Sequence, residues 1–140
     1  MLVKLFKTER DSARMLDVMG VIDSTAQCFG CTSTWSLFEV ARALKKDGKP
    51  SELIELDLRE LRRHKIFFID VSRAILRKSE RIIAAKNVYA SDALHAATFQ
   101  YISKKKSLEG MLSDDKHYDR LKDLVKVLTL NEIDSDSDFS

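Results

Sequence analysis

The sequence contains few residues that interrupt a chain and no segment that suits a membrane. Pro50 is the single proline among 140 residues, so few positions break a helix or a strand. No apolar run approaches the roughly 18 residues of a membrane helix. Lysines interrupt the first seven residues, which excludes a typical signal peptide. We therefore expect a cytoplasmic protein that makes no membrane contact.

The two cysteines, Cys28 and Cys31, form a single C-x-x-C pair. A structural zinc site needs four ligands, and the three histidines do not have the spacing that would complete one. A thioredoxin-type motif opens a helix, whereas this pair leads into a predicted strand. Reduced, buried cysteines are therefore the preferred interpretation.

Charge is distributed unevenly along the chain. The last nine residues contain four acids and no base, which leaves 24 bases against 18 acids and a net charge of +6 in the remainder. A basic body suits a polyanionic partner such as RNA, although lysine runs at helix ends also serve as solvated partners of the helix dipole. We predict one domain over residues 1–130 and an acidic, disordered tail over 131–140.

The periodicity of apolar residues predicts helices that alternate with short strands. Helices are predicted over 2–7, 9–20, 36–47, 51–64, 72–86, 91–105 and 115–121, and strands over 27–32, 66–69, 111–113 and 125–128. The run Ile66-Phe67-Phe68-Ile69 suits a strand that is buried on both faces. This alternation implies an α/β fold, a three-layer sandwich with a mostly parallel central sheet flanked by helices.

Several side chains have simple structural interpretations. Ser36 and Glu39 match a Ser-x-x-Glu capping box. In the second helix, Ala13, Leu16 and Met19 share one face, and Gly20 is expected to end the helix. Ser72 and Ser91 are predicted N-caps. Trp35 and Phe38 are predicted to belong to the core.

Three carboxylates, Glu39, Asp92 and Asp115, fall at predicted strand-to-helix junctions, each after a hydroxyl residue. In parallel sheets ligands bind beyond the carboxyl ends of the strands, so these acids can converge at one edge. Clustered carboxylates bind hard cations such as Mg²⁺, which activate water for phosphodiester cleavage. Simpler roles stay open at this point: capping for Glu39, and helix-dipole stabilisation for Asp92 and Asp115.

Three motifs in order resemble the PIN-domain family over about residues 2–130. They are Thr-x-x-x-x-Glu from Thr34 to Glu39, Asp-Ala-Leu-His-Ala-Ala from Asp92, and Ser-x-Asp-x-x-Tyr from Ser113 to Tyr118. The second motif is the most specific. The family consists of small α/β ribonucleases that depend on Mg²⁺ or Mn²⁺, many of them toxins of the VapC type.

The resemblance implies a metal-dependent endoribonuclease, with RNA as substrate. Glu39, Asp92 and Asp115 would be the catalytic metal ligands, supported by the hydroxyls of Thr34 or Ser113, and Asp114 is a second-rank candidate. His95 lies one helical turn after Asp92 and could orient it, but the family's pattern favours a packing role. The resemblance also implies a homodimer and an antitoxin protein as partners.

One part of the family's pattern is not matched. The family begins with a strand that ends in Asp-Thr or Asp-Ser, whereas Met1 to Phe6 resemble the helix after that strand. Asp23 imitates the motif but lies too close to Glu39 in sequence, and Asp11 is in or near a helix. We expect the strand and its acid to precede Met1. The alternatives are a catalytically degenerate RNA- or protein-binding module and, less favoured, a Mg²⁺-dependent phosphatase.

Overall fold

Helices and short strands are interleaved in the computed structural model, which describes residues 1–26, 29–113 and 115–133. Helices α1 to α5 are Ser12–Ser24, Trp35–Lys46, Ser51–Leu61, Arg73–Lys86 and Ala90–Ser103. Strands β1 to β4 are Gly30–Ser33, Ile66–Ile69, Met111–Leu112 and Val127–Leu128. Two 3₁₀ helices, Leu2–Leu5 and Lys116–Leu121, complete the described elements. In these ranges no helix is both long and apolar enough to cross a membrane.

The strands form two separate parallel pairs within the described residues. β1 pairs with β2, with Gly30 opposite Ile66 and Ser33 opposite Ile69. β3 pairs with β4, with Met111 opposite Val127. Short parallel strands joined by helices confirm the α/β class. The arrangement of these strands in one central sheet of a three-layer sandwich stays a prediction.

The expectation that β2 is buried on both faces is wrong. Ile66 and Phe68 pack into hydrophobic clusters, but Phe67 is exposed. Its ring packs edge-on against Phe29, with 6.2 Å between the ring centroids. Side chains alternate along a strand, so Ile69 shares the face of Phe67. Ile69 packs against the cluster of α4 and α5, and this face is therefore covered at Ile69 and open at Phe67.

Helix α1 differs from its prediction in length and in its buried face. It passes through Gly20 and ends at Ser24, and Ala13 and Leu16 are exposed. The buried side chains are Met15, Val18 and Met19, which pack with Leu130 and Ile133. A glycine in a helix costs only about 1 kcal/mol relative to alanine, so the packing of α1 outweighs this local stop signal.

Asp23 has a structural role in the last turn of α1. Its carboxylate accepts hydrogen bonds from the Lys65 backbone N–H at 2.8 Å and from His64 Nδ1 at 2.6 Å. Burial, the largest single influence, raises the pKa of Asp23, but these two bonds and the nearby positive charges together lower it below its usual value. Asp23 therefore fastens α1 to the segment before β2 and does not end a strand.

Of the two serines predicted as N-caps, Ser72 caps its helix and Ser91 does not. Ser72 is the N-cap of α4, and its hydroxyl accepts a hydrogen bond from the Ile75 N–H at 3.3 Å. Ser91 is not a cap, because Tyr89 is the N-cap and α5 already begins at Ala90. A serine near a helix start therefore did not by itself locate the first residue of α5.

Hydrophobic side chains form three clusters in the described part of the chain. The largest joins α4 and α5 to the second 3₁₀ helix and contains Ile75, Ile82, Tyr118, Leu121 and Val125. Ala93, Ala96 and Ala97 are completely buried there, and their small side chains allow α4 and α5 to approach closely. The other clusters form around α1 and around α2 with α3. The largest cluster positions the elements that carry Asp92 and Asp115.

Three sequence predictions fall on residues outside the described ranges. They concern Cys28, Asp114 and the acidic tail from residue 134 onward. Cys31 is a free, partly buried thiol, and burial raises its pKa. Ile133 is buried in the cluster around α1, and the boundary between domain and tail at residue 130 stays a prediction.

Replacing Gly110 by alanine is expected to destabilise the protein by about 1–3 kcal/mol. A Cβ at this position would lie 2.7 Å from the Leu128 side chain and 3.1 Å from the Lys126 carbonyl oxygen. The Leu128 side chain must move to admit the new methyl group, and the Lys126 carbonyl must shift by a few tenths of an ångström. Urea unfolding of the two proteins measures the change.

Gly20→Ala is the matched control for this substitution. No atom lies within 4 Å of a Cβ built at Gly20, and the residue is inside α1. We expect Gly20→Ala to stabilise the protein by about 0.5–1 kcal/mol. Equal effects of the two substitutions would contradict the described packing of β3 on β4.

Candidate functional site

The three candidate acids lie at the beginnings of three different elements. Glu39 is in α2, which follows β1, and Asp115 is the N-cap of the second 3₁₀ helix, which follows β3. Asp92 is in the first turn of α5. The residues before it belong to α4 and to a turn in which Asn87 is left-handed, with φ of 48°. The interpretation of Asp92 as a strand-to-helix junction is therefore wrong.

The charges of all three carboxylates act on the phenol of Tyr118. Burial, followed by the negative charges of Asp92, Glu39 and Asp115, raises the pKa of Tyr118 far above its usual value. The fold therefore brings together residues that are up to 76 positions apart in sequence.

Asp92 is the buried member of this group, with only 7% of its surface exposed. Its Oδ2 atom has no hydrogen-bond partner among the described residues. Burial, and then the charge of Asp115, raises the pKa of Asp92, whereas a hydrogen bond from Tyr118 and the His117 and His95 rings oppose the rise. Buried polar atoms are normally satisfied, so this carboxylate is held in a position that does not favour its charge.

Glu39 does not form the predicted capping box. Thr34 is the N-cap of α2, and Ser36 lies inside the helix, where its hydroxyl hydrogen-bonds that of Thr32 at 2.6 Å. Glu39 Oε1 instead accepts a hydrogen bond from His95 Nε2. This bond joins α2 to α5. Capping therefore no longer explains Glu39, and His95 orients Glu39 and not Asp92.

Asp115 has a clear local role. Its Oδ1 atom accepts a hydrogen bond from the His117 backbone N–H at 2.9 Å and lies 3.1 Å from His117 Nδ1. The Asp115 backbone N–H donates to Ser113 Oγ at 3.1 Å. The Ser113 hydroxyl therefore shapes the turn that presents Asp115. N-capping alone accounts for an acid at this position.

Hydroxyl side chains hold the junction between β1 and α2. The Thr34 backbone N–H donates to the Ile69 carbonyl at 3.0 Å, and the buried Ser33 hydroxyl accepts from the Trp35 N–H at 3.2 Å. No hydrogen bond joins the Thr34 hydroxyl to another residue of the described ranges. The proposed support of the metal shell by Thr34 stays a prediction.

The ability of this group to hold a cation rests on Asp92. Carboxylate oxygens are the ligands that Mg²⁺ and Mn²⁺ prefer. Within the described part of the chain, no three His, Cys, Asp or Glu side chains come close enough to hold one ion together. Glu39 and Asp115 are each paired with a histidine, whereas Asp92 Oδ2 is buried without a partner. That oxygen is free to contact a cation, and among the other two acids Asp115 acts electrostatically on Asp92.

Sequence patterns did not assign roles to His117, Tyr118 or Tyr89. The Tyr89 ring packs against the His117 ring at 5.2 Å, and Tyr118 lies beneath Asp92. His117 and Tyr118 follow Asp115 by two and three positions. That proximity in sequence was the available signal, but it did not show which of these side chains would face inward.

Comparison of the chain with protein-family models, with curated proteins and with solved structures finds no match. A functional conclusion must therefore be reached from the residues and their arrangement.

Proposed function

We propose that this chain is a PIN-like, metal-dependent endoribonuclease that hydrolyses the phosphodiester bonds of RNA. Glu39, Asp92 and Asp115 would hold Mg²⁺ or Mn²⁺ in a three-layer α/β sandwich. The observation that carries the proposal is the unpartnered, buried Oδ2 of Asp92, a carboxylate on which the charge of Asp115 also acts. A buried acid with a raised pKa beside a second acid is typical of functional sites.

The charges of the site support a divalent ion as its partner. Asp92 and Asp115 repel each other, which contributes to the raised pKa of Asp92, and a cation between them removes that repulsion. When bound, Mg²⁺ or Mn²⁺ supplies an activated water and stabilises the leaving oxygen. His95 and His117 hold the Glu39 and Asp115 carboxylates in place and compete with a cation for them.

The partners included in this proposal are RNA, a second copy of the chain and an antitoxin protein, acting in the cytoplasm. The net charge of the whole chain is +2. The four acids of the last nine residues offset part of the positive charge of the remainder. The positive remainder suits a polyanion.

The test of the proposal is cleavage of a labelled single-stranded RNA in Mg²⁺ or Mn²⁺, compared with the same reaction in EDTA at matched ionic strength. We expect cleavage at internal positions of the RNA when the metal is present and no cleavage in EDTA. We also expect the metal to raise the melting temperature, since a ligand at 100 times its Kd stabilises by about 2.7 kcal/mol. Equal cleavage with and without EDTA, or neither cleavage nor stabilisation in the metal, would contradict the proposal.

A second candidate is a catalytically degenerate module that binds RNA. The pairing of Glu39 with His95 and of Asp115 with His117 favours it, because both carboxylates already have a hydrogen-bond partner without any metal. RNA that is bound but not cut in Mg²⁺ and in Mn²⁺ distinguishes this candidate from the nuclease.

A further inference from the structure

One face of α2 carries exposed aromatic side chains next to Glu39. Trp35 is 40% exposed and Phe38 is 65% exposed, so the prediction that both belong to the core is wrong. Their rings pack edge to face, with 5.4 Å between the centroids. The side of α2 that faces the core is formed by other residues, Val40 and Leu44. The two aromatic rings are therefore left for contacts outside the folded core.

These rings line a cleft of about 490 Å³ together with the side chains of Arg42 and Lys46. Glu39 and Ser91 also line it, so the cleft opens directly beside one of the candidate acids, Glu39. Its volume is within the range of sites that bind small organic groups, about 300–1,000 Å³. A nucleotide-sized group in this cleft would lie next to Glu39.

The two cations of the cleft form no ion pair with another described residue. Neither Arg42 nor Lys46 has an acidic side chain within 4.0 Å among the described residues, whereas Lys49 is paired with Asp57. Phe38, Arg42 and Lys46 follow one another at intervals of four, so they share one side of the helix. We name the face formed by Trp35, Phe38, Arg42 and Lys46 the α2 platform.

We propose that the α2 platform binds single-stranded RNA, with a nucleobase stacked on Trp35 or Phe38 and adjacent phosphates on Arg42 and Lys46. The choice of RNA as the strand rests on the proposed function. Every base has a flat π face, so stacking on aromatic rings tolerates any sequence. Guanidinium and ammonium groups bind phosphate through charge-assisted hydrogen bonds. The platform thereby attracts the polyanion, whereas the neighbouring carboxylates repel it.

The charges of the platform favour a nucleic acid over a protein partner or a second copy of the chain. Aromatic residues and arginine are enriched in the cores of protein interfaces, whereas lysine is depleted there, so Lys46 is the member of the platform that argues against a protein partner. Burying Arg42 and Lys46 against another protein would require acidic partners for both. A phosphate backbone supplies such charges at regular intervals, beside bases that can cover the aromatic rings.

The test uses Trp35 as its own probe, because it is the single tryptophan of the chain. A single-stranded oligoribonucleotide is titrated into the protein in EDTA, where metal-dependent cleavage cannot occur. We expect quenching of Trp35 fluorescence. Phe38→Ala should weaken RNA binding roughly 5- to 100-fold. Arg42→Gln should reduce the slope of log K against log salt by about 0.7, the value for one phosphate contact.

Matched controls are Phe67→Ala and Arg77→Gln, which remove an exposed aromatic ring and an exposed cation elsewhere. Both should leave the binding constant and the salt slope unchanged. Circular dichroism verifies folding, and Phe38→Tyr, which keeps the aromatic face, should restore affinity. Quenching in EDTA by a protein that never cleaves RNA would overturn the proposed nuclease and leave the platform supported.

Three results would overturn the platform itself. The first is the absence of quenching, and the second is equal quenching by inorganic polyphosphate, which has no base to stack. The third is a Phe38→Ala variant that binds RNA like the parent but sediments as a monomer where the parent is a dimer. That result would identify the face as an interface between copies of the chain.

Discussion

Asp92→Asn is expected to lower RNA cleavage by about two to three orders of magnitude while leaving the protein folded and no less stable at pH 7. The asparagine has almost the same shape but no charge, so it cannot neutralise a cation. The cleavage rate in Mg²⁺ and the midpoint of urea unfolding measure the two effects. Magnesium should raise the melting temperature of the parent and not that of Asp92→Asn.

The expected gain in stability follows from the direction of the pKa shift. The pKa of Asp92 is raised in the folded state, so the folded protein binds its proton more tightly than the unfolded chain. The resulting stability is fully present below about pH 4, the pKa of an unperturbed aspartate. It is lost as the pH rises through the folded pKa. Above that range the raised pKa makes the ionisation of Asp92 a cost to the fold, and asparagine, which carries no charge to desolvate, removes that cost.

Asp119→Asn is the control for this substitution. Asp119 directly follows Tyr118 in the second 3₁₀ helix. It is exposed and paired with Lys122 at 3.0 Å. Its replacement should change cleavage less than twofold and stability by less than about 1 kcal/mol. Asp92→Asn that cleaves RNA like the parent, or that is strongly destabilised at neutral pH, would show that Asp92 is a structural carboxylate.

The elements of the fold follow largely from local patterns in the sequence. Ser72 marked the start of α4, and the apolar run Ile66–Ile69 marked β2. These features are local, because a cap or a strand is encoded by a few adjacent residues. The face that each element buries is set by its partners. α1 buries Met15 and Val18, since Leu130 and Ile133 lie against that side.

In the site, too, features set by adjacent residues could be predicted, whereas contacts between distant residues could not. Asp115 has the local cap that its neighbours predict, whereas Glu39 matches a capping box that does not form. Its partner, His95, is 56 positions away. Pairing across such a separation depends on the packing of α2 and α5, which no spacing within either helix encodes. The exposure of Trp35 also could not be predicted from its neighbours in sequence, because it depends on how α2 packs.

Leu121→Ala is expected to destabilise the protein by about 2–5 kcal/mol. Leu121 is completely buried in the largest hydrophobic cluster, and its removal leaves a cavity beneath the second 3₁₀ helix. Small domains have about 5–15 kcal/mol of stability in total, so this loss should be evident as a much lower urea midpoint. The slope of the unfolding free energy against urea should not change.

Leu56→Ala is the control for burial, because Leu56 is 55% exposed in α3. Its replacement should cost less than about 1 kcal/mol. A loss of similar size for the two substitutions would show that the cluster around α4 and α5 does not dominate stability. A loss below about 1 kcal/mol for Leu121→Ala would show that the cluster relaxes to fill the cavity.

Leu121→Ala also tests whether this cluster positions the site as well as stabilising the fold. Leu121 ends the 3₁₀ helix that begins after Asp115 and contains Tyr118, so we expect the magnesium-induced rise in melting temperature to shrink. Ile54→Ala removes a buried side chain from the separate cluster of α2 and α3, and it should keep that rise at a comparable loss of stability. An equal reduction in both variants would mean that metal binding depends on global stability. A selective reduction in Leu121→Ala would connect the packing of the 3₁₀ helix to the placement of Asp115 beside Asp92.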